Sequence, residues 1–271
     1  MSLIVTSEMR VGSRWVHYLL GNILSEYIGP EVAGQKLFGS ERQKTLNWVK
    51  LCLSNKIIPK FHGIGAITLS RFLQEAGVED FFVVGVARNP YDRAVSLAFH
   101  NRYSRKPFPF KQKDVESDEE AVIWTATNDT GFYKSCIRQG SEITLHGYST
   151  FSSLSGESLD VLPYVWTTYE WLKEDTAGEI QGILRKALRP AIAPRTQLIN
   201  EYVNKHSFQS LSGRKAGDEK RDDQWHRKGV LNDHENWFTD ECYEKLSTHQ
   251  HYYNWVVNRE KLGKTDEIPR I

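Results

Sequence analysis

Nowhere in the sequence do about 18 apolar residues follow one another, the length a membrane-spanning helix needs, so no span is expected. The N-terminus, Met1-Ser2-Leu3-Ile4-Val5-Thr6, lacks a basic stretch followed by a long apolar one and does not read as a signal peptide. Cysteine is scarce. Cys52, Cys136 and Cys242 are scattered and odd in number, with neither metal-ligand spacing nor a disulfide framework. Reduced thiols in a cytoplasmic protein are the expectation. Excess charge is missing as well: a net charge of +1 supplies no global positive field for a nucleic-acid partner. A local basic cluster could still hold a phosphorylated small molecule. No internal repeat or low-complexity linker divides the 271 residues. One domain over 1–271 is expected, long enough to bury a core without disulfides.

The apolar pattern that is present alternates between two periods. Leu3-Ile4-Val5-Thr6 reads as a buried strand, Ser7 to Ser13 as a polar turn, and Val16, Leu19, Leu20, Ile23 and Tyr27 as one face of a helix that Gly29-Pro30 ends. Ile57 to Phe61 suggests a second strand, with Pro59 placing it at an edge or at a strand start. Ser70 to Ala76 reads as a helix stopped by Gly77. Phe81 to Ala87 is apolar on both alternating faces, as a central parallel strand covered by helices would be. Asn89-Pro90 opens a helix running to about Arg102. Tyr164 to Thr168 and Ala177 to Leu188 add a strand and a helix. The alternation predicts an α/β fold, a central parallel sheet flanked by helices on both faces. Arg105 to Glu120 and Gly213 to Asp223 are charged and broken by proline or glycine, and read as surface loops or as lids ordered by a ligand.

Three blocks carry the chemistry. In the first, Ser7-Glu8-Met9-Arg10-Val11-Gly12-Ser13-Arg14-Trp15, a strand-to-helix turn aims backbone N–H groups at whatever lies over the helix start, which suits an anion. Gly12 allows close approach, Ser13 adds a hydroxyl and Arg10 a charged donor. A serine N-cap explains Gly12-Ser13 equally well. The ordinary nucleotide loop, GxxxxGK[ST], is not present. In the second block, Val84-Gly85-Val86-Ala87 leads into Arg88-Asn89-Pro90-Tyr91-Asp92-Arg93-Ala94-Val95-Ser96, with Arg88 at the carboxyl end of a strand, where open α/β sheets place ligands. The third, Arg227-Lys228-Gly229 followed by Val230 to Thr239, sets two cations beside a glycine, which suits a phosphate dianion.

Together these blocks resemble the sulfotransferases that use 3′-phosphoadenosine-5′-phosphosulfate (PAPS). The first is similar to that family's Tyr-Pro-Lys-Ser-Gly-Thr-Thr-Trp loop for the 5′-phosphosulfate, with Glu8, Met9 and Arg10 departing from Tyr-Pro-Lys. The block that opens at Arg88 is similar to its 3′-phosphate motif, Arg-Asn-Pro-x-Asp-x-x-Val-Ser. The third resembles its Arg-Lys-Gly loop followed by Gly-Asp-Trp-Lys-Asn-x-Phe-Thr, with Asn232, His234 and Glu235 departing. Lys60-Phe61-His62 is similar to the family's Lys-Thr-His, two dozen residues ahead of Arg88. Thr168 to Asp175 resembles Tyr-Glu-Asp-Leu-Lys-Glu-Asn, and Ser207-Phe208 resembles Thr-Ser-Phe. Glu235 and Asp240 replace two members of a dimerisation signature found in many animal relatives, so the oligomeric state stays open.

The resemblance implies a P-loop-like sulfotransferase fold and a metal-independent reaction on a small-molecule acceptor, with PAPS as co-substrate and 3′,5′-adenosine bisphosphate (PAP) as product. It implies His62 as general base, with Lys60 and Arg10 on the transferring group. The donor would be held by Arg10, Val11, Gly12, Ser13, Arg14 and Trp15 at one end and by Arg88, Ser96, Arg227, Lys228 and Gly229 at the other. Tyr169, Phe208 and Trp15 would enclose the adenine. The acceptor, an alcohol or an amine or guanidine, has no motif of its own. The acidic run Asp114, Glu116, Asp118, Glu119 and Glu120 suggests a cationic natural product such as an alkaloid, unless it is a solvated loop. A nucleotide kinase and a non-catalytic nucleotide-binding protein are the alternatives. The kinase lacks its lysine loop, and the binding protein would need neither Lys60 nor His62.

Overall fold

The structure is a computed structural model that describes residues 2–28, 34–37, 42–55, 57–103, 115–154, 162–188, 195–220 and 227–262. A five-stranded sheet forms its centre, built from β1 (Ser2–Ser7), β2 (Gly34–Leu37), β3 (Pro59–His62), β4 (Phe81–Ala87) and β5 (Tyr164–Thr168), in the order β2-β3-β1-β4-β5. Each neighbouring pair is parallel. From β1 the chain runs outward to the β2 edge, returns to β3, then crosses to β4 on the opposite side of β1. The strand order therefore reverses at β1, and such a switch opens a crevice beyond the carboxyl ends of the strands.

Side-chain alternation on β4 explains why helices cover both faces. Phe82, Val84 and Val86 point to one side with Leu3, Val5 and Val165. They pack on Val16, Leu19, Leu20 and Ile23 of α1 (Ser13–Ile28), Ile180 and Leu184 of α8 (Thr176–Ala187) and Ile199 of α9 (Thr196–Lys205). Phe81, Val83 and Ala87 point to the other side with Ile4 and Phe61. That face is closed by Val49 of α2 (Arg42–Ser54), Leu69 and Leu73 of α3 (Ala66–Glu75) and Tyr253 of α11 (Asp240–Leu262). Each such side chain contributes about 1.5–3 kcal/mol on full burial. A separate apolar cluster joins α4 (Pro90–Tyr103), α5 (Asp118–Thr127), α6 (Thr130–Leu154) and α11. The described residues also form two short helices, α7 (Tyr169–Glu174) and α10 (Phe208–Ser212). Among the described residues, no helix is long and apolar enough to cross a membrane.

The expected strands and helices occur with small shifts. Pro59 opens β3, which lies inside the sheet between β2 and β1 rather than at an edge. The α3 helix starts at Ala66, four residues before the sequence pattern suggests, because a distant side chain caps it. Gly65 precedes the helix with no side-chain cap of its own, and the Glu142 carboxylate on α6 accepts from the Ile67 amide (3.0 Å), the Thr68 amide (3.3 Å) and the Thr68 hydroxyl. A β-carbon at Gly65 would overlap that carboxylate. The β2 strand has no apolar alternation, so the sequence pattern gives no sign of it. The supposed loop Arg105 to Glu120 ends earlier than the sequence suggests: Ser117 caps α5 in a capping box with Glu120, while 104–114 lie outside the described residues. Of Gly213 to Asp223, residues 213–220 form a turn whose Gly217 and Lys220 amides donate to the Lys228 and Arg227 carbonyls, both at 2.9 Å. Residues 221–223 lie outside the described residues.

The middle of β4 leaves no room for a side chain at Gly85, where a β-carbon would fall 2.8 Å from the Trp166 ring and 2.9 Å from Ala66. Gly85→Ala should therefore destabilise the fold by about 1–3 kcal/mol through overpacking, read as a lowered urea midpoint at unchanged m-value.

Candidate active site

The carboxyl ends of β1 and β4 carry the first and second sequence blocks to the switch point, and that of β3 carries Lys60-Phe61-His62. After Ser7 the chain turns through Arg10 (φ 65°) and Gly12 (φ 82°), both left-handed, before α1 begins at Ser13. Glycine is required at the second position for a further reason: a β-carbon there would lie 2.5 Å from the Tyr169 ring. Val11 points the other way, fully buried in the apolar core, so its side chain takes no part in the crevice. The Ser7 hydroxyl donates to Ser13 Oγ at 2.7 Å and lies 3.3 Å from His62 Nδ1, which joins the turn to the end of β3.

Parallel pairing sets Lys60 opposite Val5 and His62 opposite Ser7. Two residues apart on one strand, Lys60 and His62 share a face, while Phe61 between them faces the opposite core. Burial is the main cause of both pKa shifts. Lys60, 3% exposed, is pulled down to about 8 by burial, then by the nearby Arg14 and Arg10 cations. His62 is pulled down to about 4 by burial and then by Lys60, with Ser7 and Glu8 opposing.

Arg10 links the first block to the second. Its Nε donates to Ser96 Oγ at 3.3 Å, its Nη1 lies 3.5 Å from His100 Nδ1, and its carbonyl accepts from Arg88 Nη1 at 3.3 Å. Ser96 and His100 lie one turn apart on α4. Burial and the Arg10 charge hold His100 down to about 4. The Arg88 guanidinium stacks 4.4 Å above the Tyr169 ring, and its Nε is buried without a hydrogen-bond partner among the described residues. Such an orphaned cationic donor at the mouth of a crevice fits an anionic group. Tyr169 meets Trp15 edge to face at 6.3 Å, and the Trp15 indole donates to the His206 carbonyl at 2.9 Å. The Arg14 side chain is exposed along α1, donating to the Tyr18 hydroxyl at 3.2 Å.

The third block docks on α4. Asp92, 1% exposed, accepts from the Asn232 amide (2.8 Å) and the His234 amide (3.2 Å), with His234 Nδ1 at 2.9 Å. Despite its burial the Asp92 carboxyl is held low, by His234 and the Arg88 charge. The Arg227 guanidinium lies 4.1 Å above the Phe99 ring, one turn beyond Ser96 on α4. Arg10 and Arg227 are thus on the same side of the molecule. Arg227 pairs with Glu219 and Asp233, and Lys228 Nζ with Asp233 at 2.7 Å. Gly229 (φ 69°) sits against the Phe208 ring, 2.4 Å from where a β-carbon would be.

Several residues that hold the site together have no motif to announce them. Glu8, a departure from the family pattern, is nearly buried and accepts from Ser135 Oγ (2.8 Å) and from Arg138 Nε (2.8 Å) and Nη2 (2.9 Å). Arg93 donates to Ser135 Oγ (2.7 Å) and Gln139 Oε1 (2.9 Å), and Gln139 Nε2 donates to the Arg88 carbonyl (2.9 Å). Ser135, Arg138, Gln139 and Glu142 fall at three- and four-residue steps on α6. This polar stripe is the one signal that could have revealed them. The acidic run suggests a cationic acceptor in the sequence; of its described members, Asp118 and Glu120 have structural work at the start of α5. Asp118 pairs with Arg102 at 2.8 Å, Glu120 closes the capping box, and acids in a first turn suit the helix dipole. Among the described residues, no group of three or more His, Cys, Asp or Glu could hold a metal ion.

Comparison with known proteins bears on the fold and the family. The family model for the sulfotransferase domain matches residues 2–266. No curated protein matches the chain in sequence. Among solved structures, the mouse sulfotransferase SULT7A1 complexed with PAP is similar at a TM-score of 0.58 and 14% identity, over 95% of this chain and 88% of that one. A retinol dehydratase in complex with androsterone and inactive cofactor PAP is similar at a TM-score of 0.50 and 13% identity, over 99% of this chain and 82% of that one. At such identities the structural likeness carries the fold, while the domain match covers nearly the whole chain. The chain belongs to the sulfotransferase family and is a sulfotransferase enzyme.

Proposed function

We propose that the protein, as one cytoplasmic domain over 1–271, transfers a sulfuryl group from PAPS to a hydroxyl, amine or guanidine nitrogen of a small-molecule acceptor. The observation carrying this reading is the meeting of Arg10, Arg88 and Ser96 in the same crevice as Lys60 and His62. The donor brings two anionic ends and an activated sulfuryl group. The Gly12 turn and Arg10 would receive the 5′ end, and Ser13 offers a hydroxyl at the helix start. Arg88, with its orphaned Nε, Ser96 and the Arg227-Lys228-Gly229 loop would receive the 3′-phosphate. Tyr169, Trp15 and Phe208 supply ring faces for adenine.

In-line sulfuryl transfer places charge on peripheral and leaving oxygens, much as phosphoryl transfer does. Lys60, almost fully buried, and Arg10 would be the cations that stabilise that charge. His62, neutral at pH 7 because of its burial, can take the proton of the acceptor. Its basicity in the free protein is low, and the anionic donor beside it would raise it. No nucleotide-kinase chemistry is needed, and a purely binding role would leave the buried Lys60 and His62 without a function.

His62→Ala should lower turnover by about 10²–10⁴-fold while calorimetry shows PAP binding intact; near-normal turnover would remove His62 from the mechanism. Arg88→Ala should weaken PAP far more than 5′-AMP, and equal losses for the two nucleotides would contradict a 3′-phosphate contact. The pH profile of kcat/KM for PAPS, which reports the donor-free protein, follows from two shifts. Protonation disables His62 as a base, so activity falls as pH drops through about 4. Lys60 acts as a cation, so activity falls as pH rises through about 8. An acid limb that stays near the ordinary imidazole value of about 6.5 would show that the titrating group is not this buried histidine.

A further inference from the structure

We propose that Glu219 competes with the 3′-phosphate of the donor for Arg227, and so sets how tightly donor and product are held; this rests on the donor reading above. Arg227 engages a carboxylate at each of its two terminal nitrogens, Glu219 at Nη1 and Asp233 at Nη2, with the Phe99 ring beneath. The two carboxylates are not equivalent. Asp233 is buried on the 3₁₀ turn Asp233–Asn236 and also accepts from Lys228 Nζ (2.7 Å) and Asn236 Nδ2 (3.2 Å). Removing it from Arg227 would leave a buried charge short of partners, which is costly. Glu219 is more exposed and lies in the turn that pairs with the backbone of Arg227 and Lys228. Its side chain is 22% exposed against 3% for Asp233, so it is the less buried of the two acids.

Phosphate and carboxylate are both anions that seek the N–H donors of a guanidinium, so a phosphate brought to Arg227 meets the repulsion of the Glu219 carboxylate already on Nη1. Arg227 and Lys228 together balance Glu219 and Asp233, two charges against two. A phosphate entering while Glu219 stayed would bring a third anion against the same two cations. Asp233 therefore acts as the permanent counter-ion that orients both cations, and Glu219 as the group that yields. Because the same contest applies to the product, Glu219 also hastens release of PAP.

The test is calorimetric titration of the full chain and its Glu219→Gln variant with PAP and with 5′-AMP, which lacks the 3′-phosphate. Glu219→Gln should bind PAP about tenfold more tightly, the scale of one charge-assisted contact, with 5′-AMP affinity unchanged. The 5′-AMP titration also reports that the variant is folded. Unchanged or weaker PAP binding by a variant that still binds 5′-AMP normally overturns the competition and leaves the donor reading standing. Equal tightening for both nucleotides also overturns it, since the effect would then not depend on the 3′-phosphate. A wild-type protein that does not prefer PAP over 5′-AMP would strike the donor reading itself, and the proposal with it.

Discussion

Cations gathered in a partly buried crevice repel one another, and much of the architecture is organised around that repulsion. Burial first, and then the charges of Arg14 and Arg10, lower the Lys60 pKa, and burial followed by the Arg10 charge lowers that of His100. Three histidines near this charge, His17, His62 and His100, are all held neutral at pH 7. Positive charge that must remain is set on aromatic faces, Arg88 on Tyr169 and Arg227 on Phe99, or paired with acids, as Arg227 and Lys228 are with Asp233. A polyanionic ligand relieves this repulsion on arrival, so part of its binding energy is already stored in the protein.

The spacing of the crevice depends on α6. A continuous hydrogen-bonded path runs from Arg138 through Glu8, Ser135, Arg93 and Gln139 to the Arg88 carbonyl. It ties the end of β1 to the end of β4, the two strands that deliver the first and second blocks. Arg93 lies in the middle of this path, almost completely buried and stacked 5.0 Å from the Phe132 ring. A buried network of this kind is valuable only when every member is satisfied. Glu8 belongs to it, which gives a physical reason for an acid where related loops carry an aromatic residue.

Much of this is legible in the sequence because it is local. Strand β4 announces itself by seven apolar residues, and α4 by a proline in its first turn. The three motif blocks carry their meaning within a dozen residues each, and the structure brings parts of all three to one side of the molecule. What escapes a reading of the sequence depends on partners far away in the chain. The β2 strand, Gly34–Leu37, has no apolar alternation, and only pairing with β3 makes it a strand. Glu8, Arg138 and Gln139 read as ordinary polar residues until α6 crosses the sheet ends. Part of the acidic run has a role the sequence alone does not reveal: Asp118 and Glu120 are used at the start of α5.

The cap on α3 has a consequence for how the chain is made. Its first amides are satisfied by Glu142, 75 residues further on. At ribosomal speeds of about 5–20 residues per second, that residue emerges about 4–15 s after the helix it completes. Until then the start of α3, directly after the strand that carries Lys60 and His62, has exposed donors and nothing to fix it. The newborn start of α3 must wait for the segment that caps it.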